Sequence, residues 1–299
     1  MNLIEQATRR LEELRRGGVE VPGILPPGAG AGNVANAKTR RAGPTAKQGP
    51  SASDGVPARE PVAIDVQRLG QMGYVTPDKP RTKIADEFRV IKRPLLNNLR
   101  DGDTPIERAN VIMVTSALPG EGKTFVAINL AISMALELDY SVTLVDADVL
   151  RPSVFNRLLL GEAPGLLDAL TDSSIDVEQR LLPTTIEKLS ILGAGMSQSH
   201  ATELLASEQM DQLLASMSAR DPDRIIIVDA PPLLPTTEAR VLARRVGQVV
   251  MVVEAERTLR PAIEQAAAAL EACPIVLPLL NKINKSEVGS YGYYEPIEK

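Results

Sequence analysis

The chain has 299 residues, with 33 Lys and Arg against 38 Asp and Glu and a formal net charge of −5 at pH 7. This acidic balance argues against nucleic-acid binding through bulk phosphate attraction, so no nucleic-acid partner is expected. One cysteine and one histidine exclude an intramolecular disulfide, a cysteine-rich metal site and a site built on two imidazoles. Three of the five tyrosines lie in the last nine residues, which is the most uneven feature of the composition.

The first 80 residues are predicted to contain no folded domain. Residues 1–16 have apolar side chains at helical spacing, which predicts a short amphipathic helix that docks a partner, lies on a membrane surface or is simply solvated. Residues 17–62 are rich in Gly and Pro, and no aromatic residue precedes Tyr74. Such a stretch cannot bury enough apolar surface to offset its ordering entropy, so residues 17–80 are predicted to be a disordered linker.

From residue 81 onward, short apolar runs alternate with amphipathic helical patterns. The predicted helices are 86–100, 123–138, 202–217, 237–245 and 259–273, and Pro94 is expected to bend or break the first of them. The predicted strands are 111–116, 141–148, 188–195, 224–232, 248–255 and 274–282. This alternation predicts an α/β fold, a three-layer sandwich whose mainly parallel, doubly wound sheet is covered by helices on both faces. The folded domain is expected to span residues 81–285.

The first predicted strand runs into a glycine-containing loop and then a helix. Backbone N–H groups of such a loop can wrap phosphate oxygens, helped by the N-terminus of the helix. Lys123 would reach the β- and γ-phosphates of ATP, and the Thr124 hydroxyl would bind Mg²⁺. The strict P-loop pattern has Gly where this chain has Ala117, and the alternative is a Gly-rich turn with an incidental lysine. The predicted nucleotide-binding residues of the loop are Pro119, Gly120, Glu121, Gly122, Lys123, Thr124 and Phe125.

Acidic residues follow two further predicted strands. Asp146 and Asp148 come after one buried run, and Asp229 comes after another. The carboxyl ends of parallel strands meet at the crevice where ligands bind, so we expect these side chains beside the phosphate loop. There they could coordinate Mg²⁺ and accept a proton from a hydroxyl nucleophile. One such run alone would more often be structural, because strands often end in Asp for turn reasons.

These motifs resemble those of the bacterial tyrosine kinases, autokinases associated with exopolysaccharides and built on a P-loop ATPase fold. The Walker A, Walker A′ and Walker B motifs and the tyrosine-rich tail of that family correspond here to residues 117–124, 144–148, 225–229 and 291–294. The resemblance covers roughly residues 81–299. The opening LIEQATRRLEELRR and the segment EFRVIKRPLL further resemble the subgroup associated with exosortase and exopolysaccharide loci.

The resemblance implies a role for each matching residue. Lys123 would neutralise the phosphates, and Asp146, supported by Asp148, would assist the tyrosine hydroxyl or the metal. The metal ligands would be Thr124, Asp146 and Asp229, the last through water. The implied catalytic residues are Lys123, Asp146 and Asp148. Asn281, at the end of the last strand, resembles an asparagine that contacts adenine in related ATPases, although an asparagine at a strand end is commonly a turn residue.

Two departures from the family pattern concern charge. The family has an arginine two residues after the second aspartate of Walker A′, where this chain has Leu150, and Arg151 is the nearest substitute. The oligomerisation helix of the family carries Glu-x-x-Arg-x-x-Arg, which here reads Asp86-x-x-Arg89-x-x-Lys92. The charges are kept, but lysine lacks the bidentate fork of arginine. A ring is therefore less firmly expected than ATP binding.

Residues 286–299 are polar and glycine-containing, which predicts a flexible tail. The resemblance makes Tyr291, Tyr293 and Tyr294 the expected phospho-acceptors, and the alternative is a tail whose rings dock on a partner or on the body of the protein. Phosphorylation would add roughly −1.5 to −2 charges per site, so we expect it to loosen self-assembly.

The leading hypothesis is an ATP-dependent protein-tyrosine autokinase that phosphorylates the tail of a neighbouring copy and regulates exopolysaccharide synthesis or export. The first alternative is a deviant Walker A ATPase of the partition or positioning type, whose signature lysine would stand at Leu118. The second is a non-catalytic nucleotide-binding scaffold, against which the intact Lys123, Asp146, Asp148 and Asp229 argue.

The resemblance also implies partners and a location. A second copy of the chain is expected as a partner, with a ring possible. The others are a membrane-spanning chain-length determinant protein, which would be a separate chain, and a tyrosine phosphatase. The protein is expected in the cytoplasm, peripheral at the inner membrane through its membrane partner, since it has neither a secretory leader nor a spanning segment.

Overall fold

The computed structural model describes residues 59–100, 106–172, 174 and 176–283. The predicted N-terminal helix (1–16), the Gly- and Pro-rich stretch up to residue 58 and the predicted tail (286–299) lie outside the described residues. Within the described part, no helix is both long enough and apolar enough to cross a membrane.

A seven-stranded sheet forms the centre of the described domain, in the order β3-β4-β2-β5-β1-β6-β7. All neighbouring strands are parallel except β3 and β4, which confirms the predicted α/β fold with a mainly parallel, doubly wound sheet. The strands are β1 (Val111–Ser116), β2 (Ser141–Asp146), β3 (Leu182–Pro183), β4 (Leu189–Leu192), β5 (Arg224–Asp229), β6 (Gln248–Glu254) and β7 (Ile275–Asn281).

Helices cover both faces of this sheet. In chain order they are α1 (Val66–Gln71), α2 (Lys83–Arg100), α3 (Lys123–Ala135), α4 (Val154–Leu158), α5 (Leu166–Thr171), α6 (Ala201–Ala206), α7 (Glu208–Arg220), α8 (Glu238–Ala243) and α9 (Arg260–Ala269), with a short 3-10 helix at Val177–Arg180.

The central strands are buried on both sides. Along β1, Val111 and Met113 pack into one hydrophobic cluster, whereas Ile112 and Val114 pack into the other. Successive side chains of a strand point to opposite faces, so a continuous apolar run is what a sheet covered on both sides requires. The neighbouring strands β2, β5 and β1 end at the same edge of the sheet, and this edge carries the candidate site.

Two predicted helices differ from the observed ones. The predicted helix 202–217 is divided into α6 and α7, because Ser207 is extended and its hydroxyl accepts the Met210 N–H at the start of α7. Helix α2 begins at Lys83 and continues through Pro94 to Arg100, so the proline does not break it, and the alternative expectation of a bend stays a prediction. The short elements α1, α4, α5 and β3 have no counterpart in the prediction, because such short segments carry little periodic signal.

The predicted linker boundary at residue 80 is also wrong. Ile64, Leu69, Tyr74 and Val75 are buried, and the Val75 N–H donates to the Asn129 side chain on α3 at 2.6 Å. We call residues 62–76 the strap. The Gly- and Pro-rich composition that predicts disorder stops at residue 62, and the apolar residues beyond it have a surface of the domain to pack against.

Candidate functional site

The loop after β1 turns tightly because two of its glycines have left-handed backbone angles. Gly120 has φ 89° and Gly122 has φ 100°, and α3 begins directly afterwards at Lys123. A side chain at position 122 would also place its Cβ 2.2 Å from Asn281 Nδ2. Glycine is therefore needed at this position for both its backbone freedom and its small size.

Contacts from within the loop and from the end of β7 hold this conformation. The buried Glu121 carboxylate accepts the Leu118 N–H at 2.6 Å. Asn281 Nδ2 donates to the Glu121 carbonyl at 2.9 Å, and Lys282 Nζ donates to the Gly120 carbonyl at 2.7 Å. The side chain of Asn281 thus rests on the loop, while its predicted contact with adenine stays a prediction.

We expect Gly122→Ala to weaken nucleotide binding at least about tenfold, because the strained backbone and the crowding by Asn281 would displace the loop. Fluorescence titration with a labelled ATP analogue measures this effect. Gly161→Ala is the matched control, since a Cβ there meets nothing within 4 Å and its backbone angle is not left-handed. Equal affinities of the two variants would contradict the role assigned to Gly122.

Lys123 and Asp148 meet at a cavity beside this loop. Lys123 Nζ lies 2.5 Å from Asp148 Oδ2, and both side chains are largely buried. The cavity has a volume of about 410 Å³ and is lined by both residues. Its wall also includes predicted nucleotide-binding residues of the loop, namely Pro119, Gly120, Gly122 and Thr124.

The other two predicted carboxylates lie side by side. Asp146 at the end of β2 is directly opposite Asp229 at the end of β5 in the register of the sheet. Asp146 Oδ2 accepts the N–H groups of Ser153 at 3.1 Å and Val154 at 3.0 Å. Among the described residues, Asp146 Oδ1 and both oxygens of Asp229 are buried without a hydrogen bond of ordinary geometry, and the Thr124 hydroxyl is the nearby side-chain donor to Asp229.

Burial changes the protonation of this pair. Burial first, and then the nearby Asp229 carboxylate, raise the pKa of Asp146 to about 7. Burial raises the pKa of Asp229 to about 6, against the opposing effects of the Lys123 charge and of the Thr124 hydroxyl. Two buried carboxylates this close together resist losing both protons, so the pair can hold a proton near neutral pH.

The donor set suits a hydrated divalent cation. The three unpartnered oxygens of Asp146 and Asp229 are hard ligands, and the Thr124 hydroxyl, which accepts from the Ser153 hydroxyl at 3.0 Å, lies in the phosphate-loop cavity. Mg²⁺ usually keeps several waters and takes one or two protein ligands together with substrate phosphates. Within the described part of the chain, no three His, Cys, Asp or Glu side chains form a complete metal cage, and a phosphate-bound ion does not need one.

A second cavity, of about 500 Å³, is lined by Asp146, the first of the two Walker A′ carboxylates. Asp146 lines this space, whereas Asp148 lines the cavity of the phosphate loop. The walls of the second cavity are largely apolar, with Phe155, Pro164 and Met196 among them. The two Walker A′ carboxylates therefore face two different spaces.

The positions at which this chain departs from the family pattern lie in different surroundings. Leu150 and Arg151 both line the cavity of the phosphate loop. Lys92 is only 5% exposed, donates to the Ser133 carbonyl at 2.5 Å and pairs with Glu137 at 2.8 Å. Lys92 is thus used within the subunit, which removes it from the surface that the predicted oligomerisation motif would present.

Exposed charges remain on α2. Asp86 and Arg89 form an ion pair at 2.5 Å, and the same arginine donates to the Pro80 carbonyl at 3.0 Å. These two members of the motif are accessible in the described structure.

Sequence reasoning missed several residues of the cavity wall, namely Pro232, Pro235 and Thr236 after β5 and two polar side chains after β2. The two polar side chains are those of Ser153 and Arg157. Both belong to the segment around α4, whose single turn gives no periodic signal. The only sequence feature that indicated a role for these residues was their position shortly after Asp146 and Asp148, at the end of β2.

The sheet, the glycine loop with its lysine, and the strand-end carboxylates together define a P-loop NTPase. A family model described as an NUBPL iron-transfer P-loop NTPase, of the ParA group, matches residues 107–259, just over half of the chain. Nucleotide binding thus follows from both the fold and the family.

Comparison with proteins of similar sequence identifies the family within the P-loop NTPases. The "Tyrosine-protein kinase YwqD" of Bacillus subtilis (strain 168) is 30% identical over 233 residues, which cover 75% of this chain and 92% of that protein. The chain therefore belongs to the bacterial tyrosine-protein kinase family. The "Tyrosine-protein kinase wzc" of Salmonella typhimurium is 31% identical over 191 residues, which cover 62% of this chain and only 26% of that longer protein.

Solved structures agree with this assignment. The kinase domain of the Escherichia coli tyrosine kinase ETK matches with a TM-score of 0.61 and 26% identity, covering 74% of this chain and 86% of that one. The kinase domain of VpsO matches with a TM-score of 0.56 and 28% identity, covering 68% and 100%. The predicted protein-tyrosine kinase is confirmed over the partition-ATPase alternative.

Proposed function

We propose that this kinase transfers the γ-phosphoryl group of ATP to Tyr291, Tyr293 and Tyr294 in the tail of a neighbouring copy. The observation that carries the proposal is the pair of buried carboxylates, Asp146 and Asp229, with unpartnered oxygens beside a lysine-lined phosphate cavity. Such a pair can both hold a cation and accept a proton, which is what phosphoryl transfer to a neutral hydroxyl requires.

The reaction assigns one task to each group. The tyrosine oxygen forms a bond to the γ-phosphorus, the bond to the β-phosphate oxygen breaks, and ADP leaves. The phenol proton passes to Asp146, which lines the second cavity at the end of β2. Lys123 neutralises charge on the phosphates, and Asp148 orients Lys123 through their ion pair.

Mg²⁺ would supply charge neutralisation between the phosphate groups. The residues that would hold it are Thr124 directly, Asp146, and Asp229 through water. The oxygens without a described donor support this set. Nucleotide contacts are proposed for the loop residues Pro119, Gly120, Glu121, Gly122, Lys123, Thr124 and Phe125, and for Asn281.

The acceptor would enter through the second cavity. Its apolar wall suits an aromatic ring, and the Asp146 carboxylate in the same wall could accept the phenol proton. Because the phosphate loop lines the other cavity, the donor and acceptor substrates would approach Asp146 and Asp148 from separate sides.

The cellular role is proposed from the relatives. The "Succinoglycan biosynthesis transport protein ExoP" of Rhizobium meliloti is 28% identical over 245 residues, which cover 29% of that longer protein. We therefore place this kinase in the regulation of exopolysaccharide synthesis or export. It would act on the cytoplasmic face of the inner membrane with a membrane-spanning chain-length determinant protein, and a tyrosine phosphatase would reverse the modification.

Self-assembly is proposed through the exposed face of α2. Asp86 and Arg89 are available there, whereas Lys92 is used within the subunit. Each phosphate would add about −1.5 to −2 charges to a chain of net charge −5. Repulsion between modified tails would then loosen the assembly.

Replacing all three tail tyrosines by phenylalanine is expected to remove at least about nine-tenths of the phosphotyrosine formed with MgATP, because the acceptor hydroxyls are gone. Immunoblotting or mass spectrometry of the purified protein measures this. The control is the variant Tyr140→Phe, which changes a buried tyrosine of the domain.

Mixing two inactive proteins tests transfer between copies. The triple phenylalanine variant keeps its catalytic site, and Lys123→Ala keeps its tail tyrosines. Their mixture should regain phosphotyrosine, carried by the Lys123→Ala chain. A full signal from the triple variant alone, or no recovery in the mixture, would contradict the acceptor assignment or the transfer between copies, respectively.

A further inference from the structure

A second cation faces the cavity of the phosphate loop from α4. Arg157 lies in the single turn of that helix and lines the cavity together with Lys123 and Thr124. No described carboxylate forms an ion pair with it, and its one described side-chain hydrogen bond runs from Nη1 to the Tyr74 hydroxyl at 3.3 Å. An arginine without a carboxylate partner at a phosphate-sized cavity is suited to bind an anion.

The partner of Arg157 is itself held firmly. Tyr74 is 4% exposed, and its ring packs on Phe125 at 4.9 Å between centroids. Phe125 directly follows Thr124 of the phosphate loop. The next residue of the strap, Val75, donates its N–H to Asn129 of α3 at 2.6 Å. The Tyr74 side chain is therefore held in place beside the loop, and its hydroxyl accepts the hydrogen bond from Arg157.

Arg151 provides an internal comparison. It also lines the cavity and is exposed like Arg157, but its side chain has no hydrogen bond or ion pair to any described residue. A restrained side chain loses less rotamer entropy when it binds than a free one does. The positive charge of Arg157 also acts on the site, since it opposes the burial that raises the pKa of Asp229.

We propose that Arg157 contacts phosphate oxygens of the bound nucleotide, that Tyr74 of the strap positions it there, and that it provides the cation missing at Leu150. This inference rests on the proposed nucleotide site at the phosphate loop. It makes the strap, which precedes the P-loop domain in sequence, part of the nucleotide site. Arg157 would touch the substrate, whereas Tyr74 is a positioning residue that acts through it.

Binding of fluorescent ATP and ADP analogues to the full chain in the presence of Mg²⁺ tests the proposal. Arg157→Gln should raise the Kd for the ATP analogue about tenfold or more, and Arg157→Lys should recover part of the loss. Tyr74→Phe removes only the hydroxyl and should raise the Kd about threefold. Arg68→Gln changes an exposed arginine of the strap and serves as the control.

The double variant separates positioning from a general effect on folding. If Tyr74 acts through Arg157, adding Tyr74→Phe to Arg157→Gln should leave the Kd unchanged. An equal effect of Tyr74→Phe in both backgrounds would overturn the positioning role. A Kd within twofold of the unchanged protein for Arg157→Gln, or a larger loss for Arg151→Gln, would overturn the assignment of Arg157. Binding is measured without phosphoryl transfer, so absence of phosphotyrosine in the unchanged protein would count against the proposed function alone.

Discussion

Lys123→Ala should reduce phosphotyrosine formation at least about 100-fold, because it removes the charge that stabilises the developing negative charge on the phosphates. The variant also leaves Asp148 largely buried without the partner that now lies 2.5 Å away. Binding of the labelled ATP analogue should weaken as well. The measurement is the initial rate of phosphotyrosine formation with MgATP, beside a nucleotide titration.

Lys83→Ala is the matched control for that experiment. Lys83 is an exposed lysine at the start of α2 that pairs with Glu87 at the surface. Such a surface pair contributes little, so its loss should leave the rate within about twofold. Because removal of Lys123 also unpairs Asp148, circular dichroism should verify that the Lys123→Ala protein is folded. A folded variant that keeps more than a tenth of the rate would contradict the assigned role of Lys123.

Asp229→Asn should abolish most of the kinase activity and at the same time stabilise the free protein at high pH. Asp229 is fully buried, and among the described residues neither of its oxygens has a hydrogen bond of ordinary geometry. Holding a negative charge there costs free energy that a neutral amide avoids. The loss of activity, expected to be about 100-fold, follows from the missing negative charge at the proposed cation site.

The pH dependence of this stabilisation has a definite sign. The pKa of Asp229 is about 6 in the folded protein, above the ordinary value of 3.8. The folded state therefore binds the proton more tightly, and the stabilisation that this provides is fully present below pH 3.8 and is lost as the pH rises from there to about 6. Only near or below pH 3.8, where the folded and the unfolded chain both carry the proton, should the protonated acid match the amide and the two proteins differ little.

Thermal unfolding without Mg²⁺ or nucleotide, at pH 4 and pH 8, measures the difference. We expect Asp229→Asn to have a Tm roughly 5 °C or more above that of the unchanged protein at pH 8, and a similar Tm at pH 4. Asp172→Asn is the control, because Asp172 is exposed. A lower Tm for Asp229→Asn at pH 8 would show that the ionised Asp229 side chain stabilises the fold, which is the opposite of the expected effect.

Local sequence patterns were sufficient to predict the main strands and the phosphate loop. The run from Val111 to Ser116 is buried on both faces, and the observed strand has the predicted bounds. Gly122, Lys123 and Thr124 stand at the junction of strand and helix, where the spacing places them. These features depend on neighbouring residues, so a single sequence reveals them.

Contacts between residues far apart in the chain account for the differences between the predicted and the observed structure. Residues 59–80 were predicted to be disordered from composition, yet the strap packs against α3, and only the packing partner makes that order favourable. Lys92 could be placed on a helix but not assigned to the interior, because its partner Glu137 lies in another part of the chain.

The sequence by itself determined the chemistry available to this protein: a phosphate loop, a lysine, strand-end carboxylates and a family resemblance that names a tyrosine kinase. Only the tertiary structure decided how those groups act together. The pairing of β2 with β5 brings Asp146 beside Asp229 in a buried position, which raises the pKa of both. The strap brings Tyr74 to Arg157. Such effects depend on distance and burial between residues far apart in the chain, and spacing along a single sequence does not encode them directly.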